Sequence, residues 1–145
     1  MKEIEFRGKS DNRWKYGYLI AEDELNENGR FETIYKITDI DSWKYEIQPD
    51  TIGQYTGLKD KNGKKIFEGD IVIAHYFFQN YDPITLGAFE DEDEITGKII
   101  NDLDGFRVID RTDECRQLPL SMIQEAVEEL EVIGNIYDNP ELLGE

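Results

Sequence analysis

Apolar and polar residues alternate repeatedly along the chain, and most of the alternating runs are bounded by Gly, Asn or Asp. A period of two is typical of strands that bury one face, whereas the spacing of an amphipathic helix is scarce here. We therefore predict a mainly β fold. The strands predicted from this pattern are Ile4–Arg7, Trp14–Ile20, Phe31–Ile37, Lys44–Ile47 and Leu130–Tyr137.

Dipeptides that end in Gly mark three tight turns. Asn28-Gly29 precedes the strand at Phe31, and Asn62-Gly63 lies between Leu58 and Ile66. Asn-Gly supplies the two positive φ values of a type I′ turn, so we predict that turn at Asn62-Gly63. Asp104-Gly105 predicts a further hairpin, whose arms run over 96–103 and 106–110.

The middle of the chain contains its most apolar run and, directly after it, its most acidic one. Residues 70–78, DIVIAHYFF, predict a core strand whose Asp70 end lies at the surface. Residues 79–94 are polar and acidic and include Pro83 and Gly87. This segment is longer than a packed β connection usually requires. We expect this excursion to be mobile, and the sequence leaves open whether it becomes ordered on binding.

Helix signals are few. Ser121 and Gln124 match a capping box, which predicts a short helix over 121–129. Asn139-Pro140 predicts a final helical turn over Pro140–Leu143.

Composition and charge narrow the classes of function. The 145 residues suffice for one domain, and the single Cys cannot form an internal disulfide. The start of the chain has no apolar signal region, so we expect a soluble cytoplasmic protein with no membrane partner. A formal charge of −17 repels phosphate backbones and anionic lipid, which makes nucleic acid an unlikely partner.

Three stretches together resemble the YopX-like family, a group of small phage and prophage proteins of undefined function. They are IEFRGKSDNRWKYGYLI, TIGQYTGLKDKNGKKIFEGDIV and LEVIGNIYDNPELL. The resemblance covers the whole chain and implies a mainly β, barrel-like fold and an origin in a mobile element, with no catalytic residues to carry over. Relative to the family's compact pattern, 79–94 resembles an insertion.

The second half also contains a turn at Glu68-Gly69-Asp70 that leads into an apolar strand, as in SH3-like small barrels. The fold predicted is a small, partly closed β-barrel with hairpins and one or two short helices. It forms a single domain over 1–145, in which an N-terminal β lobe over 1–56 could pack on a barrel-like part over 57–145.

No set of residues predicts catalysis, a cofactor or a metal. His75 is the only histidine and interrupts an apolar strand, so we interpret it as structural or solvent-facing. Cys115 lies among Asp113, Glu114 and Arg116, and the two neighbouring carboxylates disfavour a thiolate. A calcium loop fails because Leu58 and Gly69 would occupy its first and twelfth positions, where carboxylates belong. The acidic run over 90–94 is better explained as a solvated loop than as a cation site.

Aromatic and basic residues form the one candidate binding set. Trp14, Tyr16 and Tyr18 alternate on one strand. They form either a binding stripe or the core face of a sheet, and the second is favoured because large aromatic side chains are usually buried. Tyr55 is close in sequence to a local basic turn. The lysines of this basic turn are Lys59, Lys61, Lys64 and Lys65.

These observations favour a non-enzymatic interaction protein that binds a protein partner or associates with itself, because negative charge steers association with basic surfaces. Two alternatives stay open. The first is a single-stranded nucleic-acid-binding barrel that uses the aromatic stripe and the basic turn. The second is an enzyme whose metal or small-molecule site is assembled from scattered carboxylates.

Overall fold

The structure is a computed structural model that describes residues 4–103, 105–121 and 127–144. Its regular elements are strands, two short 3₁₀ turns and helical residues at 120–121, and the predominance of strands confirms the mainly β prediction. The strands are β1 Phe6–Ser10, β2 Arg13–Leu25, β3 Phe31–Thr38, β4 Lys44–Glu46, β5 Gly53–Lys59, β6 Lys65–Phe67, β7 Asp70–Tyr81, β8 Ala88–Asp102, β9 Gly105–Asp110, β10 Gln117–Pro119 and β11 Val127–Asn135. The 3₁₀ turns are Pro49–Thr51 and Pro140–Leu143, and the second confirms the predicted final helical turn.

Two sheets, in which neighbouring strands run antiparallel, account for these strands. One has the order β4-β3-β2-β1-β5-β6 and the other the order β10-β9-β8-β7-β11. Within the described residues neither order closes on itself, so the predicted partly closed barrel is not confirmed. The chain divides into two compact units, 1–57 and 58–145.

The first unit has a small core in which polar groups take part. Ile37, Ile47 and Tyr55 are buried in it. Thr51 is also buried, and its hydroxyl accepts a hydrogen bond from the Lys9 amide (2.8 Å) and donates one to the Gln48 carbonyl (2.7 Å). The hydroxyl therefore satisfies two backbone groups in the interior.

The second unit has the larger apolar core. The predicted core strand is confirmed, because Ile71, Val72 and Ala74 of β7 are buried. Asp70 is also buried, at 1% exposure, and it accepts a hydrogen bond from the Phe67 amide (2.8 Å), so its predicted surface position is wrong. The main cluster consists of Ile66, Val72, Ala74, Ile95, Ile99, Val108, Leu118, Leu120 and Leu130.

Three hairpin turns follow one design, in which an Asx side chain accepts bonds from backbone amides two and four residues later. Asn26, Asp39 and Asp60 are the three Asx residues. The residue three positions after each has a positive φ: Gly29 (77°), Ser42 (67°) and Gly63 (81°). A single left-handed residue thus closes each turn, and glycine adopts this conformation at little cost.

This design corrects the type I′ prediction. Asn62-Gly63 is a tight turn, as predicted, but only Gly63 has a positive φ, whereas type I′ requires two. Asp60 organises the turn instead and is buried, and its second carboxylate oxygen accepts a bond from the Val132 amide of β11 (3.0 Å). Burial would raise the pKa of Asp60, but the Val132, Lys64 and Asn62 amides outweigh burial and lower the pKa.

Two further predictions fail where the chain continues as strand. The excursion expected over 79–94 is the distal part of a hairpin, in which β7 extends to Tyr81 and β8 begins at Ala88. The helix expected over 121–129 is confirmed at its first residue, Ser121, which is helical, and is wrong at its end, because 127–129 belong to β11. Residues 122–126 of that helix lie outside the described part of the chain.

Each unit contains a long hairpin whose outer part has no third strand in the ladders of the described residues. In the first unit, β1 stops pairing with β2 at Gly17, and β4 pairs with β3 only over 36–38. In the second, β11 stops pairing with β7 at Tyr76, and β9 stops pairing with β8 at Gly97. We call 21–35 the first arm and 77–92 the second arm.

Candidate protein-interaction surface

The hairpin that ends in the second arm is strongly anionic. Residues 70–97 contain seven Asp or Glu and no Lys or Arg. Five of the acidic residues are consecutive, over 90–94, and the register places them opposite 75–79 of β7. The negative charge predicted for a loop is therefore displayed on a two-stranded ribbon.

Large apolar side chains are exposed on the same arm. Phe78, Tyr81 and Phe89 are 39%, 62% and 47% exposed, and Ile84 and Leu86 at the turn are 90% and 76% exposed. A two-stranded hairpin has marginal stability on its own in water, and exposed apolar patches bordered by polar residues mark interaction sites. The second arm therefore has the composition of a binding surface.

Arg116 forms several polar contacts beside residues 93–94, where this arm joins the rest of the second unit. Its guanidinium donates to Asp110 (2.8 Å), to the Glu94 carbonyl (3.1 Å) and, through a close contact, to Asp93. The Glu94 amide and then Arg116 lower the pKa of Asp93, although burial opposes the shift. Bonds from Thr112 and then Arg116 lower the pKa of Asp110 against the effect of burial. The charged pairs tie β8 to the end of β9 where the arm begins.

His75 lies in an acidic hollow on the solvent side of the second sheet. The register places it opposite Glu94 on β8 and Glu129 on β11, and its Nε2 is 3.3 Å from a Glu92 oxygen. The hollow has a volume of about 130 Å³ and is lined by Lys61, Ile73, His75, Glu94, Glu129 and Glu131. The half-buried position of His75 fits its interpretation as structural or solvent-facing, but the glutamates around it were not predicted.

No three His, Cys, Asp or Glu side chains within the described ranges are arranged to hold a metal ion. Cys115 is exposed, and its amide donates to Asp113 (3.0 Å). The structure brings His75 together with Glu92, Glu94 and Glu129, and Cys115 is not among the residues that line this hollow.

The aromatic stripe lies on β2 in the first unit. Tyr16 and Tyr18 are 44% and 70% exposed, so the core interpretation is wrong for both. Trp14 is half-buried, with the Arg7 guanidinium 4.5 Å and the Lys9 ammonium 5.3 Å from its ring centroid. The cations already occupy the neighbourhood of this ring.

The basic turn lies in the second unit, and acidic groups partly compensate its charge. Lys61 is 3.7 Å from Glu129 and 3.4 Å from Glu131, and Lys64 helps to lower the pKa of Asp60. Lys59 is exposed and Lys65 is half-buried. Tyr55 is buried at 5% exposure in the first unit, which removes its ring from any binding surface.

Comparison with known proteins gives a family and no activity. No helix in the described part of the chain is long and apolar enough to cross a membrane. No curated protein matches the chain. A family model described as YopX protein matches residues 5–144, and the chain therefore belongs to the YopX protein family.

Proposed function

We propose that this YopX family protein is a non-enzymatic interaction protein of a phage or prophage, which binds a basic protein surface in the host cytoplasm. The observation that carries the proposal is the second arm, which combines exposed aromatic and aliphatic side chains with carboxylates and has no Lys or Arg. Exposed apolar groups supply contact area, and the carboxylates select a cationic partner and speed its encounter. The lone Cys is consistent with a reducing compartment.

A matched pair of charge variants tests the proposal. Glu90→Gln/Asp91→Asn/Glu92→Gln removes three carboxylates from the second arm and changes the formal charge from −17 to −14. Glu24→Gln/Glu27→Gln/Glu32→Gln removes the same number from the first arm. Each tagged variant and the original protein are used to capture proteins from host lysate at low and high salt.

We expect the original protein and the first-arm variant to retain the same salt-sensitive protein, and the second-arm variant to lose it. Recovery of no salt-sensitive protein, together with a monomeric profile in solution, would refute the proposal. Recovery that nuclease treatment abolishes, or direct binding of oligonucleotides at low salt, would instead support the nucleic-acid alternative.

A second candidate function, acid–base chemistry, is favoured by one arrangement. His75 is 3.3 Å from Glu92 and shares its hollow with Glu94, Glu129 and Glu131. A histidine beside carboxylates is a recurring acid–base pair in enzymes. A thermal-shift panel of metal ions and metabolites tests this candidate, and a ligand-induced shift that His75→Gln abolishes would favour it over the binding proposal.

A further inference from the structure

The second arm has two chemically different faces. Residues directly opposite in the antiparallel ladder share a face, so Phe78 faces the same way as Asp91, and Asn80 the same way as Phe89. The opposite face contains Phe77, Gln79 and Tyr81 with Glu90 and Glu92, and it continues toward the His75 hollow. The face with Phe78 and Phe89, which we call the aromatic face, has one carboxylate, Asp91, whereas the other has two carboxylates beside Phe77 and Tyr81.

The aromatic face continues the apolar core of the second unit. Val72 and Ala74 of β7 belong to the core cluster, and Tyr76 packs against that cluster. Phe78 is the next residue on this face, and its ring lies 6.1 Å from that of Tyr76. Phe78 and Phe89 are diagonal neighbours across the two strands and remain 39% and 47% exposed. The core face therefore extends onto the arm as an accessible surface.

The edges of the arm are poorly suited to the addition of a further strand. The amides of Glu92 and Glu94 donate to the carboxylates of Asp91 (2.9 Å) and Asp93 (2.7 Å). On β7 the Tyr81 amide donates to the side chain of Asn80 (2.9 Å). Amides that a paired strand would need are already engaged by side chains, and such engagement protects edge strands from pairing. A partner is therefore expected to contact a face.

Charge selects the partner among the candidates for that face. A second copy of the chain also has a formal charge of −17 and would bring its own carboxylates against those of the arm. Nucleic acid and anionic lipid are repelled for the same reason. A polypeptide segment with Lys or Arg beside apolar side chains complements both the carboxylate of Asp91 and the two phenylalanine rings.

We infer that the aromatic face of the second arm, formed by Phe78 and Phe89 with Asp91 beside them, docks an amphipathic cationic segment of a protein partner through side chains. This inference rests on the proposed function and names the site and the chemistry of its partner. The apolar side chains of the segment cover the two rings, and its cations approach Asp91.

Synthetic peptides test the inference without knowledge of the natural partner. The probes are an amphipathic Leu/Lys peptide, a scrambled peptide of the same composition, and an oligolysine of the same charge. Binding is measured by titration calorimetry to the full chain. We expect the amphipathic peptide to bind at least about tenfold more tightly than oligolysine, because only the former covers the rings.

Two double variants locate the contact. Phe78→Ser/Phe89→Ser should weaken binding of the amphipathic peptide about tenfold or more. Leu25→Ser/Phe31→Ser removes two exposed apolar residues that face each other in the first arm, and it should change binding less than about twofold. Far-UV circular dichroism checks that both variants retain their strands, and NMR shifts of the Phe78 and Phe89 rings in the original protein report the contact independently of any variant.

Three binding or NMR results, and one hydrogen-exchange result, would overturn the inference. The first three are equal binding of oligolysine and the amphipathic peptide, equal weakening by the two double variants, or NMR shifts confined to residues outside the aromatic face. New exchange protection of the Glu92 and Glu94 amides on binding would also overturn it, because that protection reports strand addition. In each case the capture experiment with the charge variants judges the proposed function separately.

Discussion

The two arms are alike in construction and opposite in the way their charges are compensated. Each is the outer part of a long antiparallel hairpin, and each begins near a glycine that lies against a neighbouring strand. The first arm contains five Asp or Glu and one Arg, and the second contains four Asp or Glu and no Lys or Arg. Both are therefore anionic ribbons.

The first arm obtains its cations from its own sheet. Lys36 is 3.0 Å from Glu22 and 3.1 Å from Glu24, and Lys44 is 3.5 Å from Glu22. Lys36 lowers the pKa of Glu22. Within the second arm the ladder places carboxylates opposite aromatic and amide side chains. The comparison teaches that similar backbone ribbons can differ in their counter-charges: Lys36 and Lys44 pair with carboxylates of the first arm, whereas 77–92 contain no Lys or Arg.

Substitution of Gly17 and Gly97, the glycines near which the two arms begin, should have the largest effect on stability. A Cβ on Gly17 would collide with the carbonyl oxygen of Thr38, and one on Gly97 with that of Ile109. We expect Gly17→Ala and Gly97→Ala each to lower the free energy of unfolding by about 3 kcal/mol or more, because neighbouring backbone must move. Urea unfolding followed by circular dichroism measures the loss.

The control for both is Gly87→Ala in the turn of the second arm. Gly87 is exposed, and the nearest atom to an added Cβ is the Thr85 hydroxyl oxygen at 3.4 Å. We expect a change within about 0.5 kcal/mol. A large loss of stability in Gly87→Ala, or none in Gly97→Ala, would contradict the conclusion that the backbone beside Gly17 and Gly97 leaves no room for a Cβ.

A substitution at the buried turn of the second unit should have the next largest effect. Asp60→Ala leaves the Val132, Lys64 and Asn62 amides without their acceptor and should cost about 2–4 kcal/mol. Asn26→Ala removes the same kind of turn acceptor at a half-buried position of the first arm and should cost about 1 kcal/mol. Equal losses would show that burial of Asp60 adds nothing.

The same carboxylate predicts the direction of a pH effect. Because the pKa of Asp60 is lower in the folded than in the unfolded protein, its stabilisation is complete above the ordinary carboxyl pKa of about 4. It is lost as the pH falls through the lower folded value. Below pH of about 4, the free energy of unfolding should therefore fall more steeply in the original protein than in Asp60→Ala, as acid titration of urea unfolding would measure.

Salt should have smaller effects on the two arms, and of opposite sign. Screening weakens the Lys36 pairs of the first arm but also weakens the repulsion among the carboxylates of the second. Between about 0.01 and 1 M salt, we expect amide exchange to become roughly twofold faster over 21–35 and roughly twofold slower over 77–92. Hydrogen exchange read by NMR measures both at once, and a change in the same direction in both arms would refute the comparison.

The smallest effect is expected at the one of the three Asx-closed turns in which the left-handed residue, Ser42, is not glycine. Ser42 has a φ of 67° at the position that Gly29 and Gly63 occupy in the other two turns. Ser42→Gly should raise the free energy of unfolding by about 0.5 kcal/mol, because relief of the side-chain clash exceeds the entropy that glycine loses. Thermal unfolding measures it, with Gly63→Ser expected to change stability in the opposite direction.

Local patterns in the sequence were sufficient for much of the fold. Period-two alternation located β2, β3 and β9, and the apolar run over 70–78 located the buried half of β7. Turn positions at Gly29 and Gly63 followed from residue type. The type of turn at Gly63 did not follow, because it depends on an acceptor, Asp60, that β11 helps to hold in place.

The second arm was missed for a physical reason. Both of its faces contact solvent, so burial does not impose a period of two, and residues 79–94 look like a polar loop. The acidic hollow was missed because it depends on register: Glu94 and Glu129 meet His75 only when β8 and β11 are aligned on β7. The apolar run over 70–78, followed by turn residues and then by the acidic run over 90–94, was the one available signal for such a hairpin.

The carboxylates that bond to backbone amides along β8 have a consequence for storage at high concentration. Bare ribbons of exposed backbone can stack between molecules into fibrils, whereas Asp91 and Asp93 occupy amides that stacking would require and repel an identical molecule. Concentrated solutions should accordingly stay free of thioflavin-positive material, and Asp91→Ala/Asp93→Ala should shorten the time before it forms.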